Sequence, residues 1–318
     1  MKIGADSNIF KNKPIAMMLA VSCSVAWAFA FPLVKLGMSE FRIPQDDTGA
    51  KTLFAGVRFL FAGIAVLIIA KMMGRKVKPT GVQNWLIVLL FAVVNTSLKY
   101  FFYYIGLSYQ SGSRSAIIDS MSTFILIVLA CIFFKDEKMT LKKILGCLLG
   151  FGGIMLVNIG GSDLTSKFTL QGDGMLIMSA VASAFGGLLT RVATRKTDPL
   201  AATGISLAVG GGVMSAAGLL MGGRLNTFSG KGIVIFICLV AISVYGFSIY
   251  NQLICYNPVA EIAIFNSLIP ILGVILSCAI LGEPFEVRYI VAGITVSLGV
   301  CVINSKVSGK VKQRKTER

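Results

Sequence analysis

Apolar residues along this chain come in long unbroken runs divided by short polar turns. Ten runs have about the length that crosses a bilayer as a helix, roughly 20 residues. They are predicted at 14–36, 52–72, 85–107, 115–134, 143–159, 174–193, 200–221, 232–256, 259–281 and 288–304. The stretches 200–221, 232–256 and 262–281 contain no charged residue. Membrane β-strands would be alternating segments of about 10 residues, half this length. The pattern therefore predicts an all-α membrane protein of ten transmembrane helices.

The second half of the pattern repeats the first. Residues 99–158 align without a gap on 245–304, bringing Phe101 onto Phe247, Tyr104 onto Tyr250, Glu137 onto Glu283 and Asn158 onto Asn304. Upstream, Ala26, Phe29 and Lys35 align with Ala182, Phe185 and Arg191. Each unit holds five spans, an odd number, so the second must enter the membrane from the opposite side. The units are 14–159 and 174–304, two inverted five-helix repeats, with Gly160 to Asp173 as the linker and 305–318 as a basic tail. Inverted repeats around a shared centre are the signature of secondary transporters.

Composition agrees with that reading. Of 318 residues, 55% are hydrophobic and 14% charged, too much apolar surface for a water-soluble core to hide. The net charge of +16 points to topology rather than to nucleic acid. With the amino terminus inside, 20 of the 30 Lys and Arg fall on the inner side, 7 on the outer side, and Lys35, Arg58 and Lys99 within spans. By the positive-inside rule both termini are cytoplasmic, and the tail lies against anionic headgroups. Lys2, Lys11 and Lys13 before span 1 resemble a signal peptide, but the run is too long and opens a repeat unit, so it reads as an uncleaved span. The seven cysteines show no CxxC spacing and act as small apolar packers. The chain has no histidine, so no metal or cofactor is expected, and any coupling proton must use a carboxylate.

Several segments resemble the drug/metabolite transporter superfamily, in particular its EamA-type ten-helix branch. They are Ala55-Gly-Val-Arg-Phe-Leu60, Phe133-Phe-Lys-Asp-Glu-Lys-Met-Thr140 with Gly146, and Asn266-Ser-Leu-Ile-Pro270 leading to Leu281-Gly-Glu-Pro284. Trp27 with Lys35 is similar to the family's first-span pattern. The resemblance implies export or import of amino acids, metabolites, nucleotide sugars or toxic compounds. Phe124 stands where the second half has Pro270, so the halves should bend differently. Asp119 and Lys99 lie outside the general family pattern.

An ionisable group inside a span is a functional candidate by default. Lys99 on span 3 and Asp119 on span 4 sit at similar depths, and two readings stand: a structural ion pair, or a coupling site. In the second, Asp119 handles the proton and Lys99 either lowers its pKa or holds a substrate carboxylate. Trp27 and Phe31, Asn95 with Lys99, Phe102 and Tyr103, and Tyr245 with Gln252 form polar–aromatic faces at helical spacing, with Asn266 nearby. Ordinary helix packing would also account for any one of these. Pro32, Gly186, Gly187 and Pro270 are hinge candidates. Glu261 caps a helix or couples; Arg58, near the outer part of span 2, snorkels or pairs. Lys35 and Arg191 snorkel toward headgroups. Glu137 and Glu283 pin spans 5 and 10, and glycines at 146, 150, 153, 293 and 299 smooth those two helices.

No GxxxxGK[ST] loop supports nucleotide-driven pumping, and the spans lack the clustered acids of an enzyme. The expected function is secondary active transport of a small metabolite or drug-like solute, an amino acid or relative, by export across the plasma membrane through alternating access. A nucleotide-sugar or lipid-carrier translocator on the same fold is the alternative. Partners are the solute, membrane lipid and protons as coupling ion, with the chain a monomer or homodimer and no nucleic acid bound.

Overall fold

A computed structural model describes residues 9–134, 138–156, 168–257, 262 and 264–304. Among them ten helices and no strand are found. They are α1 Lys13–Glu40, α2 Thr48–Met72, α3 Val82–Tyr109, α4 Gly112–Phe133, α5 Leu141–Leu156, α6 Leu170–Lys196, α7 Pro199–Leu220, α8 Gly230–Tyr256, α9 over residues 264–281, and α10 Val287–Asn304. The first four and α6–α8 are long and apolar enough to cross a membrane; α9 and α10 are shorter apolar helices. The calls on Glu137, Glu261 and the tail lie outside the described residues, as does most of the linker.

Polar side chains set where the helices begin. Asp47 accepts from the Ala50 amide at 2.7 Å and starts α2 at Thr48, four residues before the apolar run. Asp198 accepts from Leu200 and Ala201 ahead of α7, whose first residue is Pro199, and Ser229 accepts from Gly232 ahead of α8. Such caps satisfy amides that a helix leaves unpaired. The earlier start of α2 moves Arg58 to the middle of its helix, correcting its expected place near the outer part.

The helices pair as an inverted duplication requires. The most extensive contacts join α2 to α7 and α5 to α10, each helix with its own repeat mate. The contact of α1 with α8 is mirrored by α6 with α3, and that of α1 with α9 by α6 with α4. Two five-helix repeats thus interlock about an axis between α2 and α7.

Glycines set that axis. Gly49, Gly56 and Gly63 recur every seven residues on α2, and Gly204, Gly211 and Gly218 do the same on α7. A methyl at Gly49 would lie 2.8 Å from the Gly223 nitrogen, and one at Gly218 2.5 Å from the Leu53 nitrogen. At Gly56, Gly63 and Gly211 it would meet backbone of Ser215, Ala208 and Leu60 closer still. Lipid supplies no hydrophobic drive between helices, so this close backbone approach provides the dispersion energy of the pair. The α5–α10 contact repeats the device at Gly146, Gly153 and Gly299, as expected. Gly293 faces Ile271 of α9 at an ordinary packing distance, 3.6 Å from a methyl placed there, and Gly150 faces the ring of Phe124.

Gly→Ala inside a helix ordinarily gains up to about 1 kcal/mol. At Gly56 the sign should reverse, with a loss of about 1–3 kcal/mol from overpacking. Gly212→Ala, which meets nothing within 4 Å, should be neutral or stabilising. Thermal unfolding of both variants in one detergent checks the contrast.

Candidate functional site

Repeat mates α4 and α9 each carry a local tightening of the helix at matching positions. In α4 the segments Gly112–Asp119 and Met121–Phe133 meet at Ser120, whose φ and ψ are −62° and −17°. In α9 a 3-10 turn, Ile264–Ser267, precedes Leu268–Leu281, and Ser267 has φ −62° and ψ −18°. The repeat register places Ser120 on Asn266, within one residue of Ser267. The tightening of α4 occurs without a proline. The Ser120 hydroxyl donates back to the Ile117 carbonyl, a bond that competes with the helix ladder. A third irregularity, the π-helical segment Val93–Leu98 in α3, ends just before Lys99.

Polar groups gather at these turns. Asp119 Oδ1, Asn266 Oδ1 and Trp27 Nε1 are buried and have no hydrogen-bond partner. Asn266 donates to the Tyr250 hydroxyl at 2.7 Å, and Trp27 packs edge-on against Tyr250 with centroids 4.9 Å apart. Gly246 admits the indole, since a methyl there would lie 2.5 Å from Trp27 Nε1. One turn along α1, Phe31 meets Tyr103 at 5.9 Å, and Tyr103 lies within electrostatic reach of Asp119. The α1 face bearing Trp27 and Phe31 thus links both turns. Unpaired buried polar atoms are costly, and among the described residues two of them, on Asp119 and Asn266, lie at these two turns.

Lys99 and Asp119 act on each other electrostatically but form no ion pair within 4.0 Å. The Lys99 ammonium instead lies over the Tyr100 ring, 4.9 Å from its centroid. Asn95, in the π-helical segment, packs against Gly186 of α6. Gln252 is buried on α8, whereas Tyr245 is exposed and bonds Ser22 at 2.6 Å across the α1–α8 seam. The candidate hinges lie in unbroken stretches: α1 runs through Pro32, and α6 through Gly186 and Gly187, which bring it against Asn95 and Leu126. Pro270 is buried just beyond the α9 turn.

Arg58 neither snorkels nor meets a carboxylate. It is 4% exposed and donates to Tyr104 Oη at 2.7 Å, Ser243 Oγ at 3.0 Å and the Leu239 carbonyl at 3.2 Å. Tyr104 and Tyr250 are repeat mates, so the site uses one tyrosine from each half. Sequence reading passed over both as site residues, although their alignment was visible.

At the end of the bundle holding the α1–α2, α3–α4, α7–α8 and α9–α10 turns, the repeats are locked together. Glu283 accepts from Gly112 N at 2.6 Å, Ser113 N at 3.0 Å and Ser113 Oγ at 2.8 Å. It therefore pins the amino end of α4, not α10. Lys35 donates to the Gln110 carbonyl at 2.6 Å and lies 3.8 Å from Glu283, spanning the repeats rather than snorkelling. Arg191, from the opposite end, lies over the Phe134 ring at 4.3 Å.

Beside this lock, Arg114 and Asp173 form an ion pair at 2.7 Å, each 1% exposed. Gln110 Nε2 and Thr169 N also donate to Asp173. Neither charge was expected to be buried, because both lie outside the predicted runs. Removing one partner of such a pair leaves an uncompensated charge. Asp173→Ala should lose about 3–5 kcal/mol, seen as a lower thermal midpoint in detergent. The double variant Arg114→Met/Asp173→Leu should recover at least half of it.

Comparison with known proteins accords with this architecture. An uncharacterized transporter of Bacillus subtilis, YvbV, is 26% identical over 292 residues, covering 89% of each chain. A WAT1-related chloroplastic protein of Arabidopsis thaliana is 25% identical over 265 residues, 79% of this chain and 62% of its own. A crystal structure with 16% sequence identity superposes with a TM-score of 0.62 over 91% of this chain and 96% of its own, a likeness of fold. Residues 14–159 and 170–305 match the EamA-like transporter family, and with both halves of its inverted pair matched, the chain belongs to that family.

Proposed function

We propose that this EamA-family protein is a secondary active transporter that exports an amino acid or related small solute by alternating access, coupled to protons. The observation that carries the reading is the pair of matched, locally tightened turns in α4 and α9. They carry buried, unpartnered polar atoms on Asp119 and Asn266. Irregular helix backbone near the middle of an inverted repeat is where transporters bind their solutes. Asp119 is the proton-handling group, since no histidine is available and its Oδ1 lacks a fixed partner. Tyr103, Tyr250, Phe31 and Trp27 form the apolar walls such a site needs.

The Glu283 and Lys35 contacts hold one mouth closed, and opening it requires Glu283 to leave the α4 amino end. Pro32, Pro270, Gly186 and Gly187 are the flexing points of that motion. The excess of basic residues at the other end supports cytoplasmic termini, and the plasma membrane is the proposed site.

A thermal-unfolding screen of the detergent-purified protein against amino acids, nucleosides, sugars, polyamines and lipophilic cations tests the reading. A solute at 100 times its Kd should stabilise by about 2.7 kcal/mol. In proteoliposomes with an imposed pH gradient, wild type should concentrate that solute. Asp119→Asn should exchange it without concentrating it, and proton-driven accumulation by Asp119→Asn at the wild-type rate would overturn the coupling role. Stabilisation by undecaprenyl phosphate or nucleotide sugars alone would replace the amino-acid reading with that of a lipid-carrier or nucleotide-sugar translocator.

A further inference from the structure

The spans carry so few charges that their sum can be read directly. Setting aside the first and last seven residues of each helix, the described residues include three ionisable acids or bases: Arg58 on α2, Lys99 on α3 and Asp119 on α4. Nearer the ends, Arg114 pairs with Asp173 and Lys35 lies 3.8 Å from Glu283, while buried Lys51 is held by the Gln45 carbonyl and the Ser108 hydroxyl. The three inner charges do not balance. Arg58 is held by a tyrosine hydroxyl, a serine hydroxyl and a carbonyl, all neutral. Lys99 rests on an aromatic face and forms no ion pair with Asp119. Among the described residues the interior carries one excess positive charge when Asp119 is ionised, and two when it carries a proton.

The repeat symmetry does not correct this. In the repeat register Lys99 falls on Tyr245 and Asp119 on Phe265, and in the glycine register of α2 and α7 Arg58 falls on Val213. All three charges belong to the first repeat, and their mates are neutral. Tyr103 lies within electrostatic reach of both Arg58 and Asp119, and its ring meets at 5.9 Å that of Tyr100, over which the Lys99 ammonium lies. An excess charge in a low-dielectric interior is costly, and a mobile counter-charge relieves that cost.

We infer that the transported solute is an organic acid of net charge −1, held by electrostatic attraction of its carboxylate to Lys99 and Arg58. Where the solute also carries an ammonium group, as an acidic amino acid does, that group meets the unpartnered Oδ1 of Asp119. Arg58 acts here at a distance, through its field, because its guanidinium is buried at 4% exposure and anchored by Tyr104, Ser243 and Leu239. A unit charge about 8 Å away at an effective dielectric constant of about 20 changes affinity by about 10- to 30-fold. This inference rests on the transporter reading of the same site and adds the charge of the solute.

The experiment compares isosteric pairs on the full-length protein: glutamate with glutamine and aspartate with asparagine, plus lactate, lysine and putrescine. Thermal-midpoint shifts in detergent and counterflow in proteoliposomes are both measured. The acids should stabilise and exchange, with at least a tenfold preference over their amides, and the cations should do neither. Arg58→Gln should weaken acid binding about 10- to 30-fold, and Arg58→Lys should retain most of it. If Arg58→Gln fails to fold, the acid-to-amide ratio of wild type still decides. Equal or stronger binding of the amides or cations overturns the charge assignment and leaves the transporter reading standing. No binding and no exchange by these probes overturns the inference, and failure of the broader solute screen as well takes the transporter reading with it.

Discussion

Close backbone approach between α2 and α7 is the constraint on which the remaining structure depends. In lipid, two apolar helices gain nothing by hiding from their solvent, so association rests on contact density and on polar groups that must find partners. Three glycines on each helix, seven residues apart, let the backbones touch along most of the crossing. Because the two helices are repeat mates, that crossing fixes how one half faces the other. The α5–α10 crossing repeats the arrangement, and the remaining helices fall into mirrored contacts between these two anchors.

Polar side chains then do what lipid cannot. Three charges at one end of the bundle are tied across elements: Glu283 to the amides of Gly112 and Ser113, Lys35 to the Gln110 carbonyl, Arg114 to Asp173. Glu283 and Asp173 belong to the second repeat and their partners to the first, so these bonds close the seam at one end. A seam closed by hydrogen bonds and ion pairs, not by a continuous apolar core, is one that solvent and solute can reopen. That is the physical basis for treating this end as a mouth.

The scaffold is symmetric and its chemistry is not. Tyr104 and Tyr250, the two tightened turns, and the glycine ladders are shared by both halves. Arg58, Lys99 and Asp119 occur in one half only. An inverted pair of repeats provides two equivalent frames, and equivalent frames would make equivalent sites. Placing the charges in one of them gives a single polar centre, with neutral aromatic groups from both halves around it.

The sequence alone determined the ten helices, their duplication and the opposite insertion of the two halves, because span length and repeat register are properties of the chain. It also singled out Asp119, Lys99, Trp27 and Asn266 as candidates, since an ionisable, amide or indole group within an apolar run is conspicuous. The glycine ladders on α2 and α7 were equally legible, as a seven-residue spacing, but their use required knowing that these two helices face each other. Tertiary structure decided the partners. It put Glu283 on α4 rather than on α10, withheld the direct Lys99–Asp119 pair, buried Arg114 with Asp173 from outside the predicted runs, and moved Arg58 to mid-helix. Each outcome depends on which elements converge in space, and a side chain's electrostatic partner is set by distance through the fold, which spacing along the chain does not encode.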